Sequence, residues 1–371
     1  MNQVRLLLVI ADSSQTGAPR QVLLLANALA NSYELHLACP NGWLAKTINK
    51  KITLHELIEP GSGRSLANQL QTIYQTVNPT LIHLHGTRAG IAGRLAKRPP
   101  TSRSLYTEHL WTADFKLASP IRQAFKLSLL RYLAPKTDRT IAVSEAVRKF
   151  LLAKKLSKAE TTSLIYGAIE PIGRQKPIGQ PVIGSLGTIN SVKGIDILLK
   201  ALPTVKDEFP NLKCRLGGQM AKALNNTLPD LVDKLDLNDQ VEWLGEVTDP
   251  AAFYHSLSIY VQPSRSESFG MTPLEAMSAG IPTIAAATGA LPEVIGQDNG
   301  LFFSQEDCQG LAEQLLRLLA DQRLYDTLVQ KGQERASYFS VQRMVAAHQT
   351  VYQNLLEESL TATRAQSGKG R

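Results

Sequence analysis

The chain alternates short apolar runs with helical segments, breaks once at a stretch rich in proline and glycine, and then begins the alternation again. In the first half, "VRLLLVIA" (4–11), "ELHLACP" (34–40), "TLIHLHG" (80–86), "RSLYTEH" (103–109) and "TIAVSE" (140–145) read as strands. Segments over 18–31, 65–78, 88–98, 119–134 and 146–156 read as helices between them. "IEPIGRQKPIGQ" (169–180) breaks the pattern and reads as an interdomain linker. The second half supplies strands at 181–187, 212–218, 241–247, 257–264 and 281–287, with helices over 194–208 and near 220–236, then helices to about 359. Such alternation demands crossover connections and predicts an α/β chain built on doubly wound parallel sheets. Two Rossmann-like halves of this kind bind ligand in the cleft between them, at the carboxyl ends of their strands.

A chain of 371 residues has room for two such domains, and 43% hydrophobic residues supply their cores. The net charge of +8 fits a nucleic-acid, phosphate-bearing or anionic-membrane partner. The basic residues are scattered through helices and form no nucleic-acid motif, so no nucleic-acid partner is expected. Cys39, Cys214 and Cys308 lack zinc or CxxC spacing and read as reduced thiols of a cytoplasmic protein. "VRLLLVIA" is only strand-length, and no apolar run approaches the roughly 20 residues of a membrane span.

The stretch "PSRSESFGMTPLEAMSAGIP" (263–282) carries the chemistry. Thr272, Pro273 and Glu275 have the spacing of a capping box, with Thr272 as N-cap and Pro273 at the first helical position. Glu275 therefore reads equally as a helix cap or as a ligand-binding carboxylate. Glu267 has no such structural reading, because it precedes the helix in a polar loop ending at Gly270. A glycine allows close backbone approach, and a helix N-terminus offers free N–H groups to a phosphate. A carboxylate beside an anion site suits a ligand that also carries hydroxyls. A sugar nucleotide has both.

Other residues are ambiguous by themselves. Lys193 reads as a surface lysine before a helix or, between a strand-end loop and Gly194, as a phosphate ligand. His109 follows a strand and reads as a structural or a functional histidine. His83 and His85 share one side of a strand, but no third ligand lies nearby for a metal. "GSGRSL" (61–66) follows no clear strand and lacks the third glycine of a dinucleotide fingerprint. No Asp-x-Asp pair occurs to cradle a metal-bound diphosphate, so no metal cofactor is expected. The basic stretch 119–139 sets Arg122, Lys126, Arg131 and Lys136 among Phe125, Leu129, Leu130 and Leu133. It reads as an ordinary surface helix or as an interfacial helix on anionic lipid.

With these residues in order, the chain resembles the family-four retaining glycosyltransferases of the GT-B fold over nearly its full length. Glu267 and Glu275 form the Glu-x7-Glu motif, supported by "TGAPRQ" (16–21), "HLHGTRAG" (83–90), "YTEH" (106–109), "IAVSEAV" (141–147), "VKGIDILLKAL" (192–202), "TGALPEVI" (288–295) and "NGLFF" (299–303). The resemblance implies two Rossmann-like domains facing across a cleft. The expected boundaries are an acceptor domain over 1–170, a nucleotide-sugar domain over 171–340, a helix at about 341–359 packing back on the first domain, and a disordered tail at 360–371. Glu267 is implied beside the transferred sugar and Glu275 at the ribose. Backbone N–H groups near Phe269, Gly270, Met271 and Thr272 are implied at the sugar or phosphates, Lys193 at the departing diphosphate, His109 at the sugar, and Gly17 in the loop approaching donor and acceptor. The family usually has an arginine where this chain has Thr188, in "GTINSVKG".

The implied activity is metal-independent, retaining transfer of a hexose-type sugar from a nucleotide diphosphate donor to an acceptor hydroxyl. The implied partners are that donor and a glycan or lipid-linked acceptor, with membrane contact through 119–139 on the inner face of the cell membrane. Two alternatives stand beside it. A sugar-nucleotide epimerase shares the architecture, and Thr188 is compatible with a sugar-nucleotide-binding partner subunit of weak catalysis.

Overall fold

The computed structural model of the chain describes residues 4–58, 63–175 and 179–367, and these form two compact units. The first comprises residues up to Ala168 together with those from Val341 onward; the second runs from Ile169 to Ser340. The first unit contains β1 (Arg5–Ile10), α1 (Gly17–Leu29), β2 (Glu34–Cys39), α2 (Trp43–Thr47), β3 (Thr53–Glu56), α3 (Gly63–Val77), β4 (Leu81–His85), α4 (Gly86–Leu95), β5 (Arg103–Glu108), α5 (Pro120–Leu133), β6 (Arg139–Ala142), α6 (Glu145–Ala153) and β7 (Thr162–Leu164). The second contains β8 (Val182–Leu186), α7 (Ile195–Glu208), β9 (Lys213–Gly217), α8 (Thr227–Lys234), β10 (Val241–Gly245), α9 (Pro250–His255), β11 (Ile259–Gln262), α10 (Met271–Ser278), β12 (Thr283–Ala286), α11 (Leu291–Ile295), β13 (Leu301–Phe303), α12 (Cys308–Ala320) and α13 (Gln322–Ser337). The chain then returns to the first unit as α14 (Val341–Ser367).

Both sheets are wholly parallel. Their orders are β3-β2-β1-β4-β5-β6-β7 and β10-β9-β8-β11-β12-β13. Each sheet reverses direction of winding once, between β1 and β4 and between β8 and β11. Loops leaving the carboxyl ends of those neighbouring strands diverge to opposite faces, which opens a crevice for ligand. Both faces of each sheet are covered, which explains the unbroken apolar strands. In β1, Leu6, Leu8 and Ile10 enter the core shared with α1 and α14, while Leu7 and Val9 enter the core on the other face.

Three strands were not legible as such: β3, β7 and β13 are three or four residues long, near sheet edges, and carry too little apolar alternation. The strand expected over 140–145 stops at Ala142, because Ser144 accepts a bond from Val147 N–H (3.1 Å) and caps α6. The helix expected near 220–236 divides into a 3-10 turn at Lys222–Leu224 and α8, with Asn225 and Asn226 between them. The tail expected from 360 is helical to Ser367, since no helix breaker precedes Gly368; residues 368–371 lie outside the described residues. So do parts of "GSGRSL" and of the 169–180 linker, whose first residue, Ile169, bridges to Ser340 within the second unit. Among the described residues, no helix is long and apolar enough to cross a membrane.

Polar as well as apolar contacts hold α14 to the first sheet. Tyr352 shares a hydrogen bond of 2.7 Å with His83 Nδ1, and His83 Nε2 lies 2.6 Å from the Thr107 hydroxyl. His348 packs beside them with Nδ1 donating to the Met344 carbonyl (2.8 Å). Burial, reinforced by neighbouring imidazoles, holds His83 well below its ordinary pKa, and burial pushes His348 down to about 4. Both are therefore neutral in the fold, while the unfolded chain takes up protons below about pH 6.5. Stability contributed by their neutral forms is complete above that pH and is lost as pH falls from about 6.5 toward the folded values, at a slope approaching 1.4 kcal/mol per pH unit for each, on the order of a full proton. Urea unfolding at pH 7.5 and 5.5 should therefore give a lower midpoint at the lower pH, and His348→Gln should flatten that dependence; equal slopes in variant and wild type contradict the assignment.

Candidate functional site

The charged centre of the second unit lies where β8 and β11 end, at that sheet's switch point. Beyond β8 the chain passes Gly187 and the exposed Thr188, then turns through a 3-10 turn at Ser191–Lys193. Asn190 caps that turn, its side-chain oxygen accepting from Val192 N–H (3.0 Å) and Lys193 N–H (3.1 Å). Beyond β11 runs the loop Pro263–Gly270. Lys193 Nζ reaches Glu267 Oε2 across the two loops at 2.6 Å. Both groups are partly exposed, so the pair stays within reach of a solute. Among the described residues, the second carboxylate oxygen of Glu267 has no hydrogen bond.

Side chains not singled out from the sequence fix this pair. Gln262 Nε2 donates to Ser264 Oγ (2.7 Å) and Glu267 Oε2 (3.3 Å), while Gln262 Oε1 accepts from the hydroxyls of Tyr260 (2.6 Å) and Thr272 (3.0 Å). Burial pushes the Tyr260 hydroxyl pKa up, so it remains a neutral donor. Arg265 ties the loop to α7: its backbone N–H donates to the Val192 carbonyl (2.7 Å), its Nη1 to Ser191 (2.8 Å) and Asp196 (2.8 Å), and its Nη2 to Asp196 (2.9 Å) and Glu306 (2.8 Å). Burial by itself would raise the Asp196 carboxyl, but the Arg265 hydrogen bonds and charge outweigh it and hold it below the usual range. The only sequence signal for Gln262 is a polar residue ending the apolar run "IYVQ" just before Pro263.

The helix start differs from the capping box expected. α10 begins at Met271, with Gly270 as N-cap at φ 94°, so Thr272 is already inside the first turn and makes no cap bond. Its hydroxyl turns to Gln262 instead. Glu275 is 1% exposed and Oε2 accepts from the Tyr254 hydroxyl at 2.9 Å. The local spacing fitted a cap, but a left-handed glycine one residue earlier started the helix sooner. The Phe269 ring is buried edge-on against Phe339, leaving only its backbone for a ligand. Thr188 lies exposed on its turn, outside this network. Arg265, in the loop after β11, is committed to Asp196 and Glu306.

Gly17 and His109 belong to the first unit. Gly17 is exposed at the start of α1, after a loop where Asp12 accepts from Ser14 N–H (2.9 Å) and from the Ser14 (2.7 Å) and Thr16 (3.2 Å) hydroxyls. His109 follows β5, its Nε2 3.2 Å from His85 Nδ1. Burial, then the neighbouring His348, pushes its pKa down to about 3. Glu108 is buried beneath the same turn and accepts from the backbone N–H groups of His109 and Leu110, each at 2.9 Å, and from the Tyr106 hydroxyl. Although four histidines gather in this unit, no group of His, Cys, Asp and Glu among the described residues could hold a metal ion.

Backbone geometry makes the loop of Glu267 intolerant of change. Gly289 has φ +53°, and a Cβ there would collide with the Glu267 carbonyl oxygen, against which Ala290 N–H donates (2.9 Å). Gly289→Ala should lower stability by roughly 1–3 kcal/mol and weaken ligand binding at the loop. Gly173→Ala, where a Cβ meets nothing within 4 Å, should stay within about 0.5 kcal/mol. Thermal melting of both variants checks the contrast, and equal effects would remove the argument for a clamped loop.

Two family models match the chain in sequence: Glycosyltransferase Family 4 over residues 16–171 and Glycosyl transferases group 1 over residues 170–335. The lipopolysaccharide core biosynthesis mannosyltransferase LpsB of Rhizobium meliloti is 26% identical over 47% of this chain, and the match spans about half, 52%, of that relative. Sucrose-phosphate synthase from Thermosynechococcus elongatus has the same fold at TM-score 0.82, with 21% identity over 96% of this chain and 100% of its own. HepE of Anabaena, solved with UDP and glucose, gives TM-score 0.79 and 21% identity over 95% and 99%. Their shared architecture is GT-B. Matched in chain order, the two models together span residues 16–335 and support a GT-B glycosyltransferase of the family 4 type.

Proposed function

We propose that the protein is a retaining hexosyltransferase that uses a nucleotide diphosphate sugar and needs no metal. The observation that carries this reading is the Lys193–Glu267 pair at 2.6 Å, on the loop that leads into the N-terminus of α10. A departing diphosphate gains charge as the glycosidic carbon–oxygen bond breaks, and preorganised cations and N–H groups stabilise that charge. Lys193 serves as the cation, and the N–H groups of Gly270, Met271 and Thr272 as the dipole end. Donor binding draws Lys193 toward phosphate and leaves Glu267 to the sugar hydroxyls. Glu275 binds the ribose, and His109 keeps the sugar-facing role that the resemblance implies. The acceptor hydroxyl attacks on the face the diphosphate leaves, and its proton passes to a phosphate oxygen. UDP and glucose bound to HepE, and the mannosyl transfer named for LpsB, support this donor class.

We place the acceptor at an anionic lipid surface or on a glycan precursor. Ile121, Phe125 and Tyr132 lie along one side of α5 and are 82%, 72% and 74% exposed, while Leu130 and Leu133 on the other side are buried. From Lys116 to Lys136 there are five basic residues and no acidic one. Apolar side chains within a cationic stretch favour a negatively charged bilayer surface.

Two measurements test these assignments. A mass-spectrometric screen of nucleotide sugars should find one that is transferred or slowly hydrolysed in excess chelator. Glu267→Gln should lower its turnover about a hundredfold, whereas Glu275→Gln should chiefly raise the donor concentration needed. Activity lost to chelator and restored by a divalent metal contradicts the metal-free reading, and equal kinetic profiles contradict the division of roles. Separately, the protein should sediment with anionic liposomes at low salt, release as salt rises, and fail to sediment after Arg122→Glu with Lys126→Glu. Indifference of wild type to liposomes points to a soluble acceptor.

A further inference from the structure

One carboxylate oxygen of Glu267 is shared by two donors that are built differently. Lys193 reaches Oε2 at 2.6 Å from a 3-10 turn, on a flexible stem that can follow an anion. The Gln262 amide reaches the same oxygen at 3.3 Å from the last residue of β11, whose backbone is held in register with Ala285 of β12. Gln262 is 1% exposed, and its amide is fully engaged. Nε2 donates to Ser264 Oγ and to Glu267, while Oε1 accepts from the Tyr260 and Thr272 hydroxyls. The carboxylate settles which way round the amide lies. It can only accept, so a flipped amide would set Oε1 of Gln262 against Oε2 of Glu267 with no proton between them. Tyr260 and Thr272 must then donate to an amide oxygen that cannot return the bond, and this holds the amide in that orientation.

We propose that Gln262 is a positioning residue that keeps the Glu267 carboxylate in place once Lys193 turns to the diphosphate of the donor. Among the described residues, Oε2 has no hydrogen-bond partner besides these two. Without the amide, the departure of Lys193 would leave the carboxylate free to rotate about its last torsion and turn from the sugar. With the amide, Oε2 stays tied to β11 and Oε1 stays available to a sugar hydroxyl. A rigid strand supplies orientation and a mobile lysine supplies charge. The consequence for transfer rests on the roles proposed for Lys193 and Glu267, whereas the anchoring itself needs no donor to be seen.

Crystal structures without any donor decide the anchoring. Lys193→Ala should keep Glu267 Oε2 within hydrogen-bonding distance of the Gln262 amide, whereas Lys193→Ala combined with Gln262→Met should show the carboxylate in other rotamers. A carboxylate that leaves Gln262 in Lys193→Ala, or that keeps its place in the double variant, overturns the proposal. Kinetics then separate orientation from binding. Methionine matches glutamine in length and lacks the donor, so Gln262→Met should lower turnover about tenfold or more and leave calorimetric affinity for UDP or GDP within about threefold of wild type. Gln262→Glu sets two carboxylates together, and a proton shared between them restores the missing donor. Its turnover relative to wild type should therefore rise as pH falls from about 8 to about 6, a recovery that Gln262→Met cannot show. Wild-type turnover in folded Gln262→Met, loss of nucleotide affinity in step with turnover, or equal pH profiles for the two variants also overturns the proposal. Absence of transfer by wild type with every nucleotide sugar would instead defeat the proposed function and leave the crystallographic result to decide the anchoring.

Discussion

A lysine and a glutamate from different strand-end loops can remain paired at the open end of a sheet only if both loops are held in place. Exposed ion pairs contribute little by themselves, because solvent screens them and ordering two long side chains costs entropy. The surrounding structure supplies the order. Asn190 caps the turn that carries Lys193, Arg265 joins the loop of Glu267 to α7, and Gln262 bridges the same loop to α10. Gly194 has φ +65° and lies against the Pro263 carbonyl, where a side chain would not fit. Loops after β8 and β11, on either side of the winding reversal, are thereby locked as one body.

The two units repeat one topology but treat its switch point differently. In the second unit the loops carry opposite charges within reach of solvent. In the first, the strand ends carry histidines kept neutral by burial, with the Glu108 carboxyl beneath them, its pKa raised by burial despite its hydrogen bonds. Charged groups suit a ligand whose charge must be matched, and neutral ones suit hydroxyls. The same parallel sheet therefore offers distinct chemistries according to the side chains at its strand ends.

Much of this was legible in the sequence for physical reasons. A strand buried on both faces reads as a continuous apolar run, so β1 announces itself. Glu267 stood out because a carboxylate in a glycine-bounded loop has no local structural use. What escaped notice depends on distance in sequence. Nothing near Glu275 indicates Tyr254, and nothing near His83 indicates Tyr352, 269 residues away. The capping box failed because Thr-x-x-Glu spacing cannot register that Gly270 enters the left-handed region first. Short strands such as β7 take their identity from a neighbour, not from their own three residues.

The central claim is that Lys193 and the N-terminus of α10 form a site for the diphosphate of a nucleotide. Calorimetric titration of nucleoside diphosphates, UDP and GDP among them, into wild type and Lys193→Ala tests it most directly. Binding by wild type, weakened about tenfold or more in the variant with its melting temperature preserved, is the predicted result. Equal affinities in the two proteins would contradict it.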